Sequence, residues 1–207
     1  IEKGTLRSDS KKNKNNINKF ILRSQFIKEF LNQIPKKSRI ISTTGYTSRE
    51  LMDLRKILKN KNGKDFYMVG GMGHSSSVAI GYSLNSKKQT FCLDGDGSVL
   101  MHLGALRTVG YLKNKNFKHI ILNNNSHESV GGQLTNAAGI NFKKFCFSIG
   151  YKKYFQINNL AGIKAKIRRF VRASGPSLLE VMIRNGSLKN LSRPKNLIKI
   201  KKKFMIN

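Results

Sequence analysis

The tetrapeptide Asp94-Gly95-Asp96-Gly97 constrains this chain more than any other stretch, because of what flanks it. The apolar run Phe91 to Leu93 before it reads as a buried strand. Two glycines around one carboxylate let the backbone turn sharply and come close to a ligand. Ser98 then opens an apolar series at helical spacing: Val99, Leu100, Leu103, Leu106, Val109 and Gly110. A second buried strand, His119 to Leu122, runs into Asn123-Asn124-Asn125. In a right-handed parallel unit both turns fall at the carboxyl edge of the sheet. Asp96 can therefore meet the asparagines although 27 residues separate it from Asn123. A carboxylate and an amide oxygen suit a hard cation such as Mg2+, which takes its other ligands from phosphate and water. The helix N-terminus near Ser98 adds free N–H groups for that phosphate.

Strands and helices alternate through the rest of the chain, which predicts a three-layer α/β fold, a parallel sheet with helices on both faces. Phe20, Ile21, Ile27, Phe30, Leu31 and Ile34 mark one face of a helix that stops before Pro35. Arg39 to Thr43 reads as a strand and Thr44-Gly45-Tyr46 as a turn. Thr47 and Glu50 have capping-box spacing, which predicts a helix starting at Thr47. Phe66 to Val69 reads as a strand; Gly70-Gly71-Met72-Gly73-His74 follows, then a small-residue helix, Ser75 to Leu84. Beyond the central stretch come a short helix (Phe142 to Ile149), a strand (Tyr154 to Ile157), a basic amphipathic helix (Leu160 to Val171) and a last strand (Leu178 to Ile183). Residues 1–19 are polar and basic and read as a linker, residues 20–186 as one domain and residues 187–207 as a basic arm.

The formal net charge is +30, which raises nucleic acid as a partner. Residues 65–142, however, hold six basic and four acidic side chains, so the excess lies outside the central stretch. A solvated surface of Lys-rich composition is the preferred reading over a nucleic-acid role, and the charge can still draw in an anionic substrate. No apolar run approaches the roughly 20 residues of a membrane span. Cys92 and Cys146 sit in apolar runs and read as reduced core residues of a cytoplasmic protein. The chain opens on Ile, shows no signal peptide and can be a piece of a longer one.

A GDG turn followed, after residues 98–122, by a pair of asparagines resembles the signature of thiamine diphosphate enzymes. GGMGHSSSVAIGYSL before it, NNNSHESVGGQLT after it, TTGYTSREL upstream and the closing GSLKNLSRP resemble the phosphonopyruvate decarboxylase family, in order across roughly residues 39 to 194. The resemblance implies Asp96, Asn124 and the Ser126 carbonyl as ligands of Mg2+. It places Thr44, Thr47, Gly70, Gly71, Met72, Gly95, Gly97 and Ser98 at the cofactor, with Met72 propping it into a bent shape. Thr44 and Thr47 read equally well as turn and cap residues, and Met72 alone reads as core.

His74 and His127 fall on carboxyl-edge loops beside cofactor motifs and are the candidate catalytic histidines; His102 and His119 read as structural. Ser129, Gly131, Gly132 and Gln133 read as a mobile substrate loop. The reaction implied is decarboxylation of an anionic 2-oxo acid, phosphonopyruvate giving phosphonoacetaldehyde and carbon dioxide. The alternatives are a sulfopyruvate decarboxylase subunit, a non-catalytic remnant and a basic nucleic-acid binder. The family's pyrimidine-binding domain, with its activating Glu, is not in this sequence. A partner domain or subunit in a homo- or hetero-oligomer is therefore expected, and the chain alone is expected to be inactive. Two departures stand out: Asn125 replaces the family's Gly after the asparagine pair, and Leu188 and Ser192 stand where the family tends to carry Arg and Gly.

Overall fold

The computed structural model describes residues 20–59 and 64–206; the linker expected at 1–19 lies outside them. Seven strands form one sheet: β1 (Ile21–Leu22), β2 (Arg39–Ser42), β3 (Lys64–Tyr67), β4 (Thr90–Gly95), β5 (Phe117–Asn123), β6 (Lys153–Ile157) and β7 (Ser177–Arg184). Every pairing is parallel, in the order β3-β2-β4-β5-β7, and β1 and β6 share the outer side of β7. Eight helices cover it: α1 (Arg23–Gln33), α2 (Tyr46–Ile57), α3 (Ser75–Leu84), α4 (Asp96–Met101), α5 (Ala105–Leu112), α6 (Phe142–Ser148), α7 (Ile163–Arg172) and α8 (Leu197–Met205).

Side chains on a strand alternate between faces, so each central strand feeds two cores. Ile40, Phe91, Leu93, Ile120 and Leu179 pack under α1, α2 and α7, where Phe30 meets Phe91 edge to face at 5.0 Å. Ile41, Cys92, Ile121 and Leu178 pack under α3, α5, α6 and α8. Both faces of the strands are buried, which is why they read as continuous apolar runs. The tail after β7 returns along the domain: Phe204 of α8 is buried against Phe66 and Tyr82, with ring centroids 5.5 and 4.8 Å away.

The strand order fixes where a ligand can sit. From β2 the chain crosses to β3 on one side and then to β4 on the other, so the loops leaving β2 and β4 diverge. That divergence opens a crevice outside their carboxyl ends. The β4–β5 register pairs Gly95 with Leu122, which brings the ends of the GDG turn and the asparagine turn level.

Four local readings need correction. The helix expected from Phe20 begins at Arg23, because Ile21 and Leu22 pair with Ile183 and Arg184 of β7. The strand expected at Phe66 to Val69 is Lys64–Tyr67, its register set by β2. The single helix expected after Ser98 starts at Asp96 and breaks at His102 (φ −144°, ψ 53°). There the His102 ring packs 4.9 Å from that of His74, and the close approach of Gly73 to Met101 and His102 reinforces the break. The capping box at Thr47 is absent: the N-cap of α2 is Gly45, with no side-chain cap. Glu50 is instead fully buried beside Arg23.

Candidate active site

Loops leaving β2, β3, β4 and β5 meet in one cleft of about 280 Å³ at the carboxyl edge. Of the residues expected to bind cofactor, metal or substrate, Thr44, Thr47, Met72, Gly95, Asp96, Gly97 and Ser98 line it, as do Asn124, Ser126, His127 and Ser129. Gly70, Gly71, His74, Gly131, Gly132 and Gln133 stand outside its wall. His74 is exposed at the start of α3 with its ring against His102.

Asp96 is buried at 2% exposure and accepts a hydrogen bond from the Thr135 hydroxyl. Burial pushes its carboxyl above the usual range, against the pull of that hydroxyl and of the backbone N–H groups of Asn124 and Gly97. The Asn124 side-chain oxygen accepts from the Ser126 N–H at 3.2 Å. Its amide nitrogen donates to Asn185 at 2.8 Å. Asn125 takes φ 53°, the left-handed geometry that Gly would adopt freely and Asn tolerates.

Ser98 ties three loops together. Its hydroxyl oxygen lies 2.8 Å from the Thr43 hydroxyl, which donates to it, and it accepts from the Gly73 N–H at 3.1 Å. Gly97 needs to be glycine: a Cβ there would lie 2.5 Å from Cε1 of His127 and 2.9 Å from Thr135. The imidazole of His127 therefore lies directly against the GDG turn. Residues 126–134 close on themselves, with the His127 N–H donating to the Gln133 carbonyl at 2.8 Å and a bridge between Ser126 and Leu134. Ser129 sits over Gly45 (φ 85°), where a Cβ would come within 2.9 Å of its hydroxyl.

Residues 43–181 match the family model described as the thiamine pyrophosphate enzyme C-terminal TPP binding domain. This chain belongs to that family. It is 36% identical over 169 residues to phosphonopyruvate decarboxylase of Streptomyces viridochromogenes, covering 82% of this chain and 41% of that protein. It is 38% identical over 113 residues to the beta subunit of sulfopyruvate decarboxylase of Methanocaldococcus jannaschii, covering 55% of this chain and 57% of that subunit. The chain thus spans about two-fifths of the length of the phosphonopyruvate decarboxylase it matches. A solved structure of a thiamin diphosphate-dependent enzyme from Mycobacterium smegmatis superposes with a TM-score of 0.65 over 80% of this chain and 32% of its own, at 18% identity, and shares the fold.

The TPP-binding domain's own residues fit a magnesium ion with a diphosphate. The groups gathered in the cleft are oxygen donors, and the Asp96 carboxylate is a buried anion with no cation paired to it among the described residues. The Ser126 hydroxyl is buried without a hydrogen-bond partner in the same loop. A hard cation would relieve the burial cost of Asp96.

Several residues in and behind this cleft escaped the sequence reading. Arg23, at the start of α1, lies 3.6 Å from Glu50 and pairs with Glu128, whose other oxygen accepts from the Gly186 N–H. Burial raises the Glu50 carboxyl pKa, with Arg23 opposing. Thr135 lies 39 residues from the aspartate it serves. Nothing in their spacing joins these residues; capping-box spacing even pointed Glu50 elsewhere. Beneath the GDG turn, Asp94 accepts from the Ser75 hydroxyl at 2.8 Å and from the Gly95 N–H at 3.0 Å. His119 lies 3.5 Å from it and contacts the Tyr151 hydroxyl at 2.9 Å on its other side. Burial works to raise Asp94, but His119 and the hydroxyls of Ser98 and Ser75 hold it below the usual carboxylate range.

Proposed function

We propose that this chain is the diphosphate-binding half of a thiamine diphosphate- and Mg2+-dependent decarboxylase of anionic 2-oxo acids, with phosphonopyruvate, giving phosphonoacetaldehyde and carbon dioxide, as the first candidate substrate. The observation that carries it is the meeting of Asp96, Asn124 and Ser126 in one cleft with the hydroxyl-lined turns after β2 and β4. In this reading Asp96, Asn124 and the Ser126 carbonyl hold Mg2+. The N–H groups of Gly97 and Ser98 address the diphosphate, Thr44 faces it from the turn after β2 and Thr47 from the start of α2. Met72 supports the ring system from below. When bound, thiamine diphosphate supplies the electron sink that decarboxylation of a 2-oxo acid requires. The chain's own part is to bind and orient it, to shed water under the 126–134 loop, and to offer His127 as a proton carrier at the cleft wall.

Exposed apolar side chains stand on the elements that form the site: Val69, Met101, Val130 and Leu134 are 52%, 64%, 76% and 67% exposed, and Val130 lines the cleft itself. Such a rim favours a covering partner, here the pyrimidine-binding domain or subunit with the activating carboxylate. The likeness to a beta subunit favours sulfopyruvate as the second substrate to test. The experiment is reconstitution: carbon dioxide release from both acids by this chain with its pyrimidine-binding half, and none by this chain alone. Full activity of the isolated chain, or failure of the pair to bind thiamine diphosphate with Mg2+, refutes the reading.

A further inference from the structure

The cleft gathers three guanidinium groups, from Arg23, Arg49 and Arg193, and all three come from outside the near-neutral central stretch. Their situations differ. Arg23 is buried and engaged by Glu50 and Glu128. Arg49, in the first turn of α2, is half-buried with its guanidinium 5.6 Å from the Tyr46 ring centroid. Arg193 is exposed, in the segment after β7. Among the described residues neither Arg49 nor Arg193 meets a carboxylate. Neither acidic group of the cleft serves them: Asp96 accepts from the Thr135 hydroxyl, and Glu128 is held by Arg23 and the Gly186 N–H.

The arm that carries Arg193 is pinned. The Leu188 N–H donates to Glu50 at 2.9 Å, and the Ser192 N–H donates to Asp53 at 3.2 Å. Asp53 lies four residues after Arg49 on α2, so both project from one helix face. Holding Ser192 at Asp53 keeps its neighbour Arg193 on the α2 side of the cleft, whose wall it shares with Arg49. The tail thereby returns a second cation to the wall of a site whose chemistry lies some 100 residues earlier in the chain.

We infer that Arg49 and Arg193 form the subsite for the anionic tail of the substrate, a tetrahedral phosphonate or sulfonate. This rests on the decarboxylase reading above. Two planar forks match the oxygens of a tetrahedral anion by paired N–H donors, whereas a neutral methyl tail would leave both cations in the cleft wall uncompensated. The pair therefore selects 2-oxo acids with a charged tail over pyruvate.

The test uses the complete enzyme, this chain with its pyrimidine-binding half. R49Q and R193Q should each raise KM for phosphonopyruvate and sulfopyruvate about tenfold, and the double variant about a hundredfold. The kcat/KM for pyruvate should rise, because the uncompensated cations are gone, and the calorimetric affinity for thiamine diphosphate with Mg2+ should stay unchanged. R49K and R193K should recover part of the loss, since they keep the charge and lose the fork. The ratio of the two KM values identifies which tetrahedral anion the pair prefers. Unchanged KM values overturn the subsite, as does a parallel fall in cofactor affinity, which would assign the arginines to the diphosphate. If the unaltered enzyme turns over neither tailed acid, the decarboxylase reading itself fails. Equilibrium binding of methylphosphonate and methanesulfonate then judges the pair: binding lost in the double variant keeps the anion subsite, and equal binding discards it.

Discussion

The two edges of the sheet handle charge in opposite ways. At the carboxyl edge Asp94, Asp96 and Glu50 are buried among hydroxyls, backbone N–H groups and a few matched cations. At the amino edge the buried charges are positive. Arg39, at the start of β2, donates to the carbonyls of Lys37 and Ile206 at 3.2 and 3.3 Å. Lys64, only partly covered at the start of β3, reaches the same Ile206 carbonyl at the end of α8. Lys118, near the start of β5, is fully buried and donates to the Ala173 carbonyl. Carbonyl oxygens at a helix end favour cations, and N–H groups at turns favour anions, so each edge stabilises one sign. At the carboxyl edge the Asp96 carboxylate, Arg49 and Arg193 line one cleft and meet no charged partner among the described residues. The amino-edge cations instead donate to backbone carbonyls, and the Nε of Arg39 stays buried without a partner.

Four perturbations probe that contrast, in order of expected effect. Asp96→Ala removes the buried anion the metal would meet, and carbon dioxide release by the reconstituted enzyme should fall on the order of 10³-fold. Retention of most activity would detach the GDG turn from the chemistry. Arg23→Met strands Glu50 beside Glu128 in a buried site, and should cost about 3–5 kcal/mol in urea unfolding. Adding Glu50→Gln should recover much of it; equal loss in the single and double variants would show that Arg23 stabilises by packing instead.

Lys118→Met tests the amino edge by sign. Burial lowers the Lys118 pKa from 10.5 to about 8. Below pH 8 both folded and unfolded states hold the proton, and the folded state bears the cost of a buried ammonium. Between about 8 and 10.5 the unfolded chain holds more protons, so the parent gains stability as pH rises. The variant should therefore be more stable by about 1–3 kcal/mol at pH 7, with the gain gone above pH ~10.5. A gain that persists at high pH would point to packing. Asn125→Gly is the mildest change: relief of the left-handed residue, offset by unfolded-state freedom, should raise stability by less than about 1 kcal/mol and leave magnesium affinity unaltered.

How legible all this was in the chain differs by type of information. The small-residue helix read as Ser75 to Leu84 occupies those residues, because its pattern and its boundaries are both local. The strands that become β4 and β5 were visible as apolar runs ending in turn residues. Ile21 and Leu22 continue a helical pattern, yet the free side of β7 takes them as a strand. Val99 to Gly110 keeps helical spacing across a break that the Gly73 turn imposes from outside. In the site, Asp96 and Asn124 were legible because each sits at the end of its own strand. Thr135, Glu128 and Arg23 were not, since no spacing rule links a side chain to a partner on another loop. The charge count also misled in one respect: the central stretch is near neutral, but the fold brings Arg23, Arg49 and Arg193 to it from both flanks.

The order of residues alone determined the alternation of strand and helix and the two polar turns that must share an edge, because backbone preferences and side-chain periodicity act over a few residues. The tertiary structure decided which charges meet. Glu50 became a buried ion-pair partner rather than a cap, and the C-terminal arm returned Arg193 to the cleft. Those outcomes depend on strand order and on which loops a parallel sheet brings together across a hundred or more residues, and Coulomb and hydrogen-bond energies act only once that distance has been closed.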